Sequence, residues 1–218
     1  MIVDDQAEAI RLLRDPATHG GHDVETIETH ISLLFLAGDR VFKMKRAVRL
    51  PYADFSTPEL RLEACAREAE LNARTAPGLY LGVRRITRDA GGQVRLDGDG
   101  ELIDAAVEMV RFDQACLFDR MASMGALTPA LMTLVARMIA SFHRDAPVAA
   151  GDGGAANIAA VLDINEAGFA TSDVFDPADL ARLNADFRVA LARHAALLDR
   201  RAGGGAIRRC HGDLHLRN

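Results

Sequence analysis

The stretch that decides the fold of this chain is His211-Gly212-Asp213-Leu214-His215-Leu216-Arg217-Asn218, at its carboxyl end. An Asp is followed five positions later by an Asn, and His-Gly introduces the pair after the short apolar run Ala206-Ile207. Phosphoryl transfer needs a carboxylate that takes the proton from an attacking hydroxyl, and a neutral oxygen ligand for a phosphate-bound magnesium ion. The pattern therefore predicts a phosphoryl-transfer loop, with Asp213 as the base and Asn218 as the magnesium ligand.

The composition of the 218-residue chain narrows the classes of protein it can belong to. Hydrophobic residues make up 49% and charged residues 26% of the sequence, which is typical of a globular protein with a buried core. A net charge of -5 argues against sequence-independent nucleic-acid binding, which needs a basic surface. The first twenty residues lack the apolar region of a signal peptide. No apolar run approaches the roughly 20 residues that a membrane span needs. The cysteines form no CxxC pair of the kind found in zinc sites. We expect a cytoplasmic protein that binds neither nucleic acid nor a membrane.

The hydrophobic pattern predicts two lobes. Five strands are expected in the first lobe, at about 27–36, 40–48, 79–87, 93–97 and 102–111, with a helix inserted at about 57–75. From residue 113 onward the pattern is helical, with helices at about 114–124, 128–144, 155–168 and 177–200. We therefore expect an α+β, bilobal fold. Its N-lobe, residues 1–110, is a five-stranded antiparallel sheet with one helix, and its C-lobe, residues 111–218, is mainly helical.

Lys43 and Lys45 are candidates for holding a phosphate. They lie two positions apart on the second predicted strand, so both side chains project from the same face of the sheet. A lysine on a strand is usually a solvated edge residue, but the following helix offers a partner. Glu68 has apolar helical neighbours, and a carboxylate on the apolar side of a helix is costly unless a cation meets it. The sequence predicts that Glu68 pairs with Lys43, and it leaves open which lysine contacts phosphate.

The segment Val107-Glu108-Met109-Val110 ends the last predicted strand, just before the helical part of the chain. An extended segment that joins two lobes can use exposed backbone N–H and C=O groups to read the edge of a flat base. An ordinary edge strand has the same pattern. Glu108, Met109 and Val110 are therefore candidates for binding the adenine of a nucleotide.

The stretch 211–218 resembles the catalytic loop of the aminoglycoside phosphotransferase-like kinases, which share the protein-kinase fold. A narrower resemblance, to a bacterial branch often fused to a C-terminal P-loop ATPase or small-molecule kinase domain, is carried by five stretches: 28–32, 41–46, 54–57, 68–72 and 76–82. The resemblance implies ATP and Mg²⁺ as cofactors and a small-molecule hydroxyl as acceptor. It also implies Lys43 on the phosphates, Glu68 holding Lys43, residues 108–110 as the adenine hinge, Asp213 as base and Asn218 on magnesium.

The chain departs from that family pattern in three ways. The turn Ala37-Gly38-Asp39 stands where many kinases have a GxGxxG phosphate loop. The Asp of the next metal-binding segment and the acceptor-binding helices do not occur before the sequence ends at Asn218. We therefore expect a piece of a longer enzyme, with an incomplete C-lobe and impaired phosphoryl transfer when it stands alone.

Two other functions fit parts of the pattern. A nucleotide-binding pseudokinase or regulatory domain would bind ATP without transferring phosphate. A metal-dependent phosphohydrolase would instead use His211, Asp213 and His215 as metal ligands, although such enzymes need further His and Asp clusters that the upstream sequence does not supply. Bound nucleotide would indicate the first alternative and a bound transition metal the second.

Overall fold

The chain divides into two compact units, Met1–Gln114 and Ala115–Asn218, and the strands β1–β8 all lie in the first. The computed structural model describes residues 4–149 and 153–217. Within these ranges the first unit holds the strands and two α-helices, α1 (Ala7–Arg14) and α2 (Pro58–Ala73), and the second unit is helical. The expected α+β class is confirmed.

The first unit is built on a six-stranded antiparallel sheet. Its strands in chain order are β1 (Val24–Glu28), β2 (Ser32–Ala37), β3 (Arg40–Lys45), β6 (Tyr80–Arg88), β7 (Val94–Leu96) and β8 (Glu101–Val110). A separate two-stranded ribbon pairs β4 (Arg49–Leu50) with β5 (Ala53–Asp54). The order across the large sheet is β1-β2-β3-β8-β6-β7, so the last strand in the chain lies in the middle.

The large sheet has six strands rather than the five predicted, because the first predicted strand, 27–36, is two strands, and the β4–β5 ribbon was not predicted. β1 and β2 pair in register from Val24 opposite Ala37 to Glu28 opposite Leu33. The turn between them is closed by the Thr29 N–H, which donates to the Ser32 carbonyl at 2.9 Å. This turn contains no Gly, Pro, Asn or Asp, the residues that usually mark a hairpin. The sequence pattern therefore predicts one continuous strand at 27–36.

Each face of the sheet carries a cluster of buried apolar residues, and a different helix packs on each cluster. On one face, Phe42 and Met44 of β3 pack in a cluster with Ala9 and Leu13 of α1. On the other face, Ala105 and Val107 of β8 pack against Cys65 of α2. Alternate residues of a strand point to opposite faces, so β3 places Phe42 and Met44 on the α1 face and its odd-numbered residues on the α2 face.

Helix α2 begins as the sequence predicts. The Thr57 hydroxyl accepts a hydrogen bond from the Leu60 N–H at 3.3 Å, and Pro58 occupies the first turn, where its missing N–H costs nothing. Near the start of α2, Arg61 is completely buried, and its Nε donates to Asp104 Oδ1 of β8 at 3.0 Å. The ion pair fixes α2 on the central strand of the sheet.

The second unit contains four α-helices in its described residues, listed as α3 (Phe118–Ser123), α4 (Pro129–Asp145), α5 (Gly154–Phe169) and α6 (Pro177–Gly203). The predicted helix at 114–124 is shorter than expected, because residues 114–116 form a 3₁₀ turn. Helices α5 and α6 pack on each other. None of the helices in the described ranges combines the length and the apolar character that a membrane crossing requires.

Two glycines of α5 give a matched pair of predictions. A Cβ on Gly154 would lie 2.0 Å from the Leu198 carbonyl oxygen of α6, whereas a Cβ on Gly168 would meet nothing within 4 Å. We expect Gly154→Ala to lower the free energy of unfolding by about 1–3 kcal/mol, as overpacking does. Gly168→Ala should raise it by about 0.5–1 kcal/mol, because alanine loses less backbone entropy in a helix. Urea denaturation followed by circular dichroism measures both, and equal effects of the two changes would contradict the close packing of α5 on α6.

Candidate functional site

Strand β3 presents two lysines on the face of the sheet that α2 covers. Lys43 and Lys45 alternate with Phe42 and Met44, which are buried on the opposite face. In register, Lys43 lies opposite Leu34 of β2 and Val107 of β8, so it sits inside the sheet rather than at its edge. Lys43 is therefore not the solvated lysine of an edge strand that the sequence alone would usually indicate.

Glu68 of α2 accepts hydrogen bonds from both lysines. Its Oε1 lies 2.8 Å from Lys43 Nζ, and its Oε2 is paired with Lys45 Nζ. The side chain of Glu68 is 11% exposed, that of Lys45 is 9% exposed and that of Lys43 is 28% exposed. The predicted Glu68–Lys43 ion pair is confirmed, and the structure adds that Lys45 shares the same carboxylate.

The electrostatics of this cluster favour an anion. Burial by itself raises the pKa of Glu68, but the ammonium groups of Lys43 and Lys45 more than offset this effect, so the pKa lies below its ordinary value of 4.5. Glu68 is therefore ionised at neutral pH. With two ammonium groups and one carboxylate, the cluster keeps a net charge of +1 in a partly buried position, where charge interactions are stronger than in water.

Three further side chains surround the cluster. Lys45 Nζ lies 5.6 Å from the centroid of the Phe55 ring, within the range of a cation–π contact. Tyr80 accepts a hydrogen bond from Asn72 Nδ2 at 3.0 Å, and its pKa is raised by burial and by the negative charge of Glu68. Burial also raises the pKa of Cys65 to about 12, so its thiol is protonated and is a poor nucleophile. The chemistry available in this part of the site is anion binding.

The segment expected to read a base with free backbone groups has strand neighbours on both sides. Glu108 of β8 lies opposite Phe42 of β3 and Gly82 of β6. The Val110 N–H donates to the Leu79 carbonyl at 2.9 Å. The expectation of an exposed backbone is corrected for Glu108 and its neighbour Met109, because β8 is a central strand rather than an edge strand.

The side chain of Glu108 takes part in a different ion cluster. Its Oε2 lies 2.7 Å from Arg84 Nε, and its Oε1 lies 3.4 Å from Arg40 Nε. Glu108 pairs in register with Phe42, and residues opposite each other in an antiparallel sheet share a face. The Glu108 carboxylate is thus on the α1 face, away from the face that carries Lys43 and Lys45.

The stretch 211–217, which the sequence predicts to be a phosphoryl-transfer loop, lies in the second unit and is largely exposed. The Asp213 N–H donates to His211 Nδ1 at 3.2 Å, and Asp213 Oδ2 lies 3.6 Å from His215 Nε2. The Leu216 carbonyl accepts a hydrogen bond from the Asp119 N–H of α3 at 3.1 Å, which ties the loop to that helix. Asn218, the predicted magnesium ligand, lies outside the described residues. Among residues 4–149 and 153–217 no group of three or more His, Cys, Asp and Glu side chains is arranged to hold a metal ion.

One sequence signal for this site is easy to overlook. Lys43 and Lys45 are the only lysines in the 218 residues, whereas the chain has 24 arginines. Arginine supplies every other basic side chain apart from histidine, so two lysines on one face of one strand mark a place where a compact ammonium group is used instead of a guanidinium group. This count singles out both lysines, and the structure shows that both meet Glu68.

Comparison with known proteins gives relatives without an assigned role. Uncharacterized proteins of Mycobacterium bovis and of two strains of Mycobacterium tuberculosis are each 33% identical to the chain over 123 residues. The match covers 56% of this chain, and the chain spans only 23% of the length of these relatives. No protein-family model and no solved structure matches the chain. A proposal of function therefore has to rest on the residues of the site.

Proposed function

We propose that the chain belongs to an ATP-dependent phosphotransferase that transfers the γ-phosphate to a hydroxyl group of a small molecule. The proposed class is the aminoglycoside phosphotransferase-like kinases, with a protein-kinase-like fold. The observation that carries the proposal is the ion pair between Lys43 of β3 and Glu68 of α2. Phosphoryl transfer by protein kinases requires a pair of this kind, in which a strand lysine that contacts phosphate is held by a helix glutamate.

The other proposed roles follow the order of residues along the chain. Lys43 binds phosphate oxygens, and Met109 and Val110, at the end of β8, lie next to the adenine. Glu108 is not given this role, because its carboxylate lies on the face away from Lys43 and is paired with Arg84. Asp213 takes the proton from the acceptor hydroxyl, and Asn218 is a ligand of magnesium. Mg²⁺, when bound, neutralises charge that develops on the phosphate oxygens. The net positive charge of the Lys43–Glu68–Lys45 cluster fits a polyphosphate group.

The turn between β2 and β3 is short, which favours phosphate binding by side chains rather than by backbone N–H groups. β2 and β3 are joined by a two-residue turn, Gly38-Asp39, between the paired residues Ala37 and Arg40. A turn of this length cannot supply the several backbone N–H groups that a glycine-rich phosphate loop offers. Under the proposal, Lys43 therefore carries a larger share of the affinity for phosphate than it would beside such a loop.

A nucleotide-binding experiment tests the proposal. We expect the wild-type chain to bind Mg²⁺-ATP in isothermal titration calorimetry, and Lys43→Ala to weaken the binding about 10–100-fold, because one hydrogen bond from an ammonium group to a phosphate is lost. Arg49→Ala is the control: it removes the same charge from a residue that is 74% exposed and paired with Asp54 of the small ribbon. Arg49→Ala should bind as the wild type does.

Two results of this experiment would change the proposal. A folded wild-type chain that binds no nucleotide would contradict it. Binding of Mg²⁺-ATP without transfer to any of a panel of sugars, polyols and aminoglycosides would instead favour the regulatory, pseudokinase-like alternative.

A further inference from the structure

The two lysines of the cluster differ in their surroundings. Lys45 is enclosed: its side chain is 9% exposed, its Nζ is paired with Glu68, and it lies over the ring of Phe55. Lys43 has about three times the exposure, at 28%. An incoming anion can therefore approach the Lys43 ammonium, whereas the Lys45 ammonium is shielded by protein.

The backbone beside Lys45 is also fixed from the other side of the sheet. The buried side chain of Gln6 donates to the Lys45 carbonyl at 2.8 Å and accepts from the Ala47 N–H at 2.7 Å. The same Gln6 amide donates to Asp104 of β8 at 2.8 Å. These contacts hold the end of β3 in place, so Lys45 is in a rigid setting that suits a constant partner better than a ligand that comes and goes.

The charge balance gives the two lysines different tasks. If Glu68 had only Lys43 as partner, the pair would be neutral and would offer little attraction to an anion. With Lys45 present, one ammonium group balances the carboxylate, and the charge of the other remains for a ligand. The more exposed ammonium group, that of Lys43, is the one a ligand can reach.

We propose that Lys45 is a positioning residue that neutralises and holds Glu68, so that the charge of Lys43 stays available to bind the polyphosphate group of a nucleotide. The identity of the ligand rests on the proposed function, but the division of tasks between the lysines does not need the adenosine part. Inorganic tripolyphosphate is therefore a suitable probe beside Mg²⁺-ATP.

A set of charge variants tests the proposal. The variants are Lys43→Met, Lys45→Met, Glu68→Gln and the double change Lys45→Met with Glu68→Gln, all in the full 218-residue chain. Lys45→Met leaves a neutral Lys43–Glu68 pair and should weaken tripolyphosphate binding about tenfold or more. The double variant restores the net charge of +1 and should recover affinity to within about threefold of the wild type. Lys43→Met should bind no tripolyphosphate.

Recovery of tripolyphosphate binding in the double variant distinguishes a positioning role of Lys45 from direct contact with the anion and from a loosened fold. If Lys45 touched the anion directly, or if its loss only loosened the fold, removing Glu68 as well would not restore binding. Failure to recover in a double variant with the wild-type circular dichroism spectrum would therefore overturn the proposal, as would unchanged binding by Lys45→Met.

Because the chain has only two lysines, contact with the anion can also be observed directly. Reductive methylation with ¹³C-formaldehyde gives two lysine signals in an NMR spectrum, besides that of the amino terminus, and Lys43→Met and Lys45→Met assign them. Tripolyphosphate should shift the Lys43 signal more than the Lys45 signal. A larger shift at Lys45 would reverse the assignment of tasks and overturn the proposal.

The two probes keep this inference apart from the proposed function. If tripolyphosphate gives the expected pattern and Mg²⁺-ATP does not bind, the inference holds and the nucleotide part of the proposed function fails. If Mg²⁺-ATP binds and the double variant shows no recovery with either probe, the inference alone fails. If a folded wild-type chain binds neither probe, both fail.

Discussion

An Arg61→Met variant is expected to lose about 3–5 kcal/mol of the free energy of unfolding, the largest effect on stability that we predict. The Arg61 guanidinium is completely buried and donates to Asp104 and Asp4 at 3.0 Å and to the carbonyls of Phe55 and Ile103 at 3.1 Å. Methionine fills much of the volume but leaves the buried Asp104 carboxylate without its cation, and removing one partner of a buried ion pair typically costs this amount. Urea denaturation at neutral pH, followed by circular dichroism, measures the loss.

A control on the same helix shows whether burial is the cause. Arg67 is exposed and its Nη2 lies 2.8 Å from Glu63, one turn earlier. Exposed pairs of this kind contribute little, so Arg67→Met should change the free energy of unfolding by no more than about 0.5 kcal/mol. Similar losses in the two variants would mean that the buried ion pair is not the source of the effect.

The dependence of the Arg61→Met loss on pH gives a second check. Burial raises the pKa of the Asp104 carboxyl above its ordinary value, although Arg61 opposes the shift. Without Arg61 that opposition disappears and the carboxyl binds its proton more tightly in the folded than in the unfolded chain. Such a group stabilises the fold as the pH falls, so the variant should recover part of its loss between neutral pH and about pH 4. A loss that grows on acidification would contradict an uncompensated Asp104.

The second large effect concerns the rate of phosphoryl transfer. Under the proposed function, Asp213→Asn should lower the rate about 10²–10⁴-fold, because asparagine cannot take the proton from the acceptor hydroxyl. The change is nearly isosteric, and Asp213 is 76% exposed, so the fold should be unaffected. Transfer of labelled phosphate from γ-³²P-ATP to a panel of sugars, polyols and aminoglycosides measures the rate.

Binding measurements distinguish a lost base from a damaged site. Asp213→Asn should bind Mg²⁺-ATP with an affinity close to that of the wild type, whereas Lys43→Ala should lose affinity. Asp186→Asn removes an exposed carboxylate from α6 and serves as the matched control, with no expected change in rate. A rate that is equal for Asp213→Asn and the wild type would exclude Asp213 as the base.

Local signals in the sequence predict much of the fold. Asp176-Pro177 predicts a helix start, and α6 begins at Pro177 with the Asp176 carboxylate accepting from the N–H groups of Ala178 and Asp179. Thr57-Pro58 predicts the start of α2 in the same way. The hairpin between β1 and β2 is missed because its turn, 29–31, contains no Gly, Pro, Asn or Asp. The Thr29 hydroxyl holds this turn by accepting a hydrogen bond from the Ser32 N–H at 3.0 Å, but threonine is also common in strands, so it is a weak sign of a turn.

In the candidate site, too, contacts between residues that are far apart in the sequence are hard to predict. The apolar helical neighbours of Glu68 indicate that it needs a cation, and this prediction is confirmed by its pairing with Lys43. The burial of Arg61 was not predicted, because its partner Asp104 lies 43 positions away and its own helical neighbours do not reveal which strand it meets. A pattern along one element predicts which face is buried, but only the topology of the sheet decides what lies opposite.

The central position of β8 has a consequence for how the first unit folds. Strands β1, β2 and β3 can form a meander by themselves, and β6 and β7 can form a hairpin, but only β8 joins the two groups. Its pairing with β3 brings together residues as distant as Arg40 and Val110, and distant pairings of this kind form slowly. We therefore expect the sheet to remain in two parts during synthesis until β8 has left the ribosome, with the edges of β3 and β6 that pair with β8 open to other chains until then.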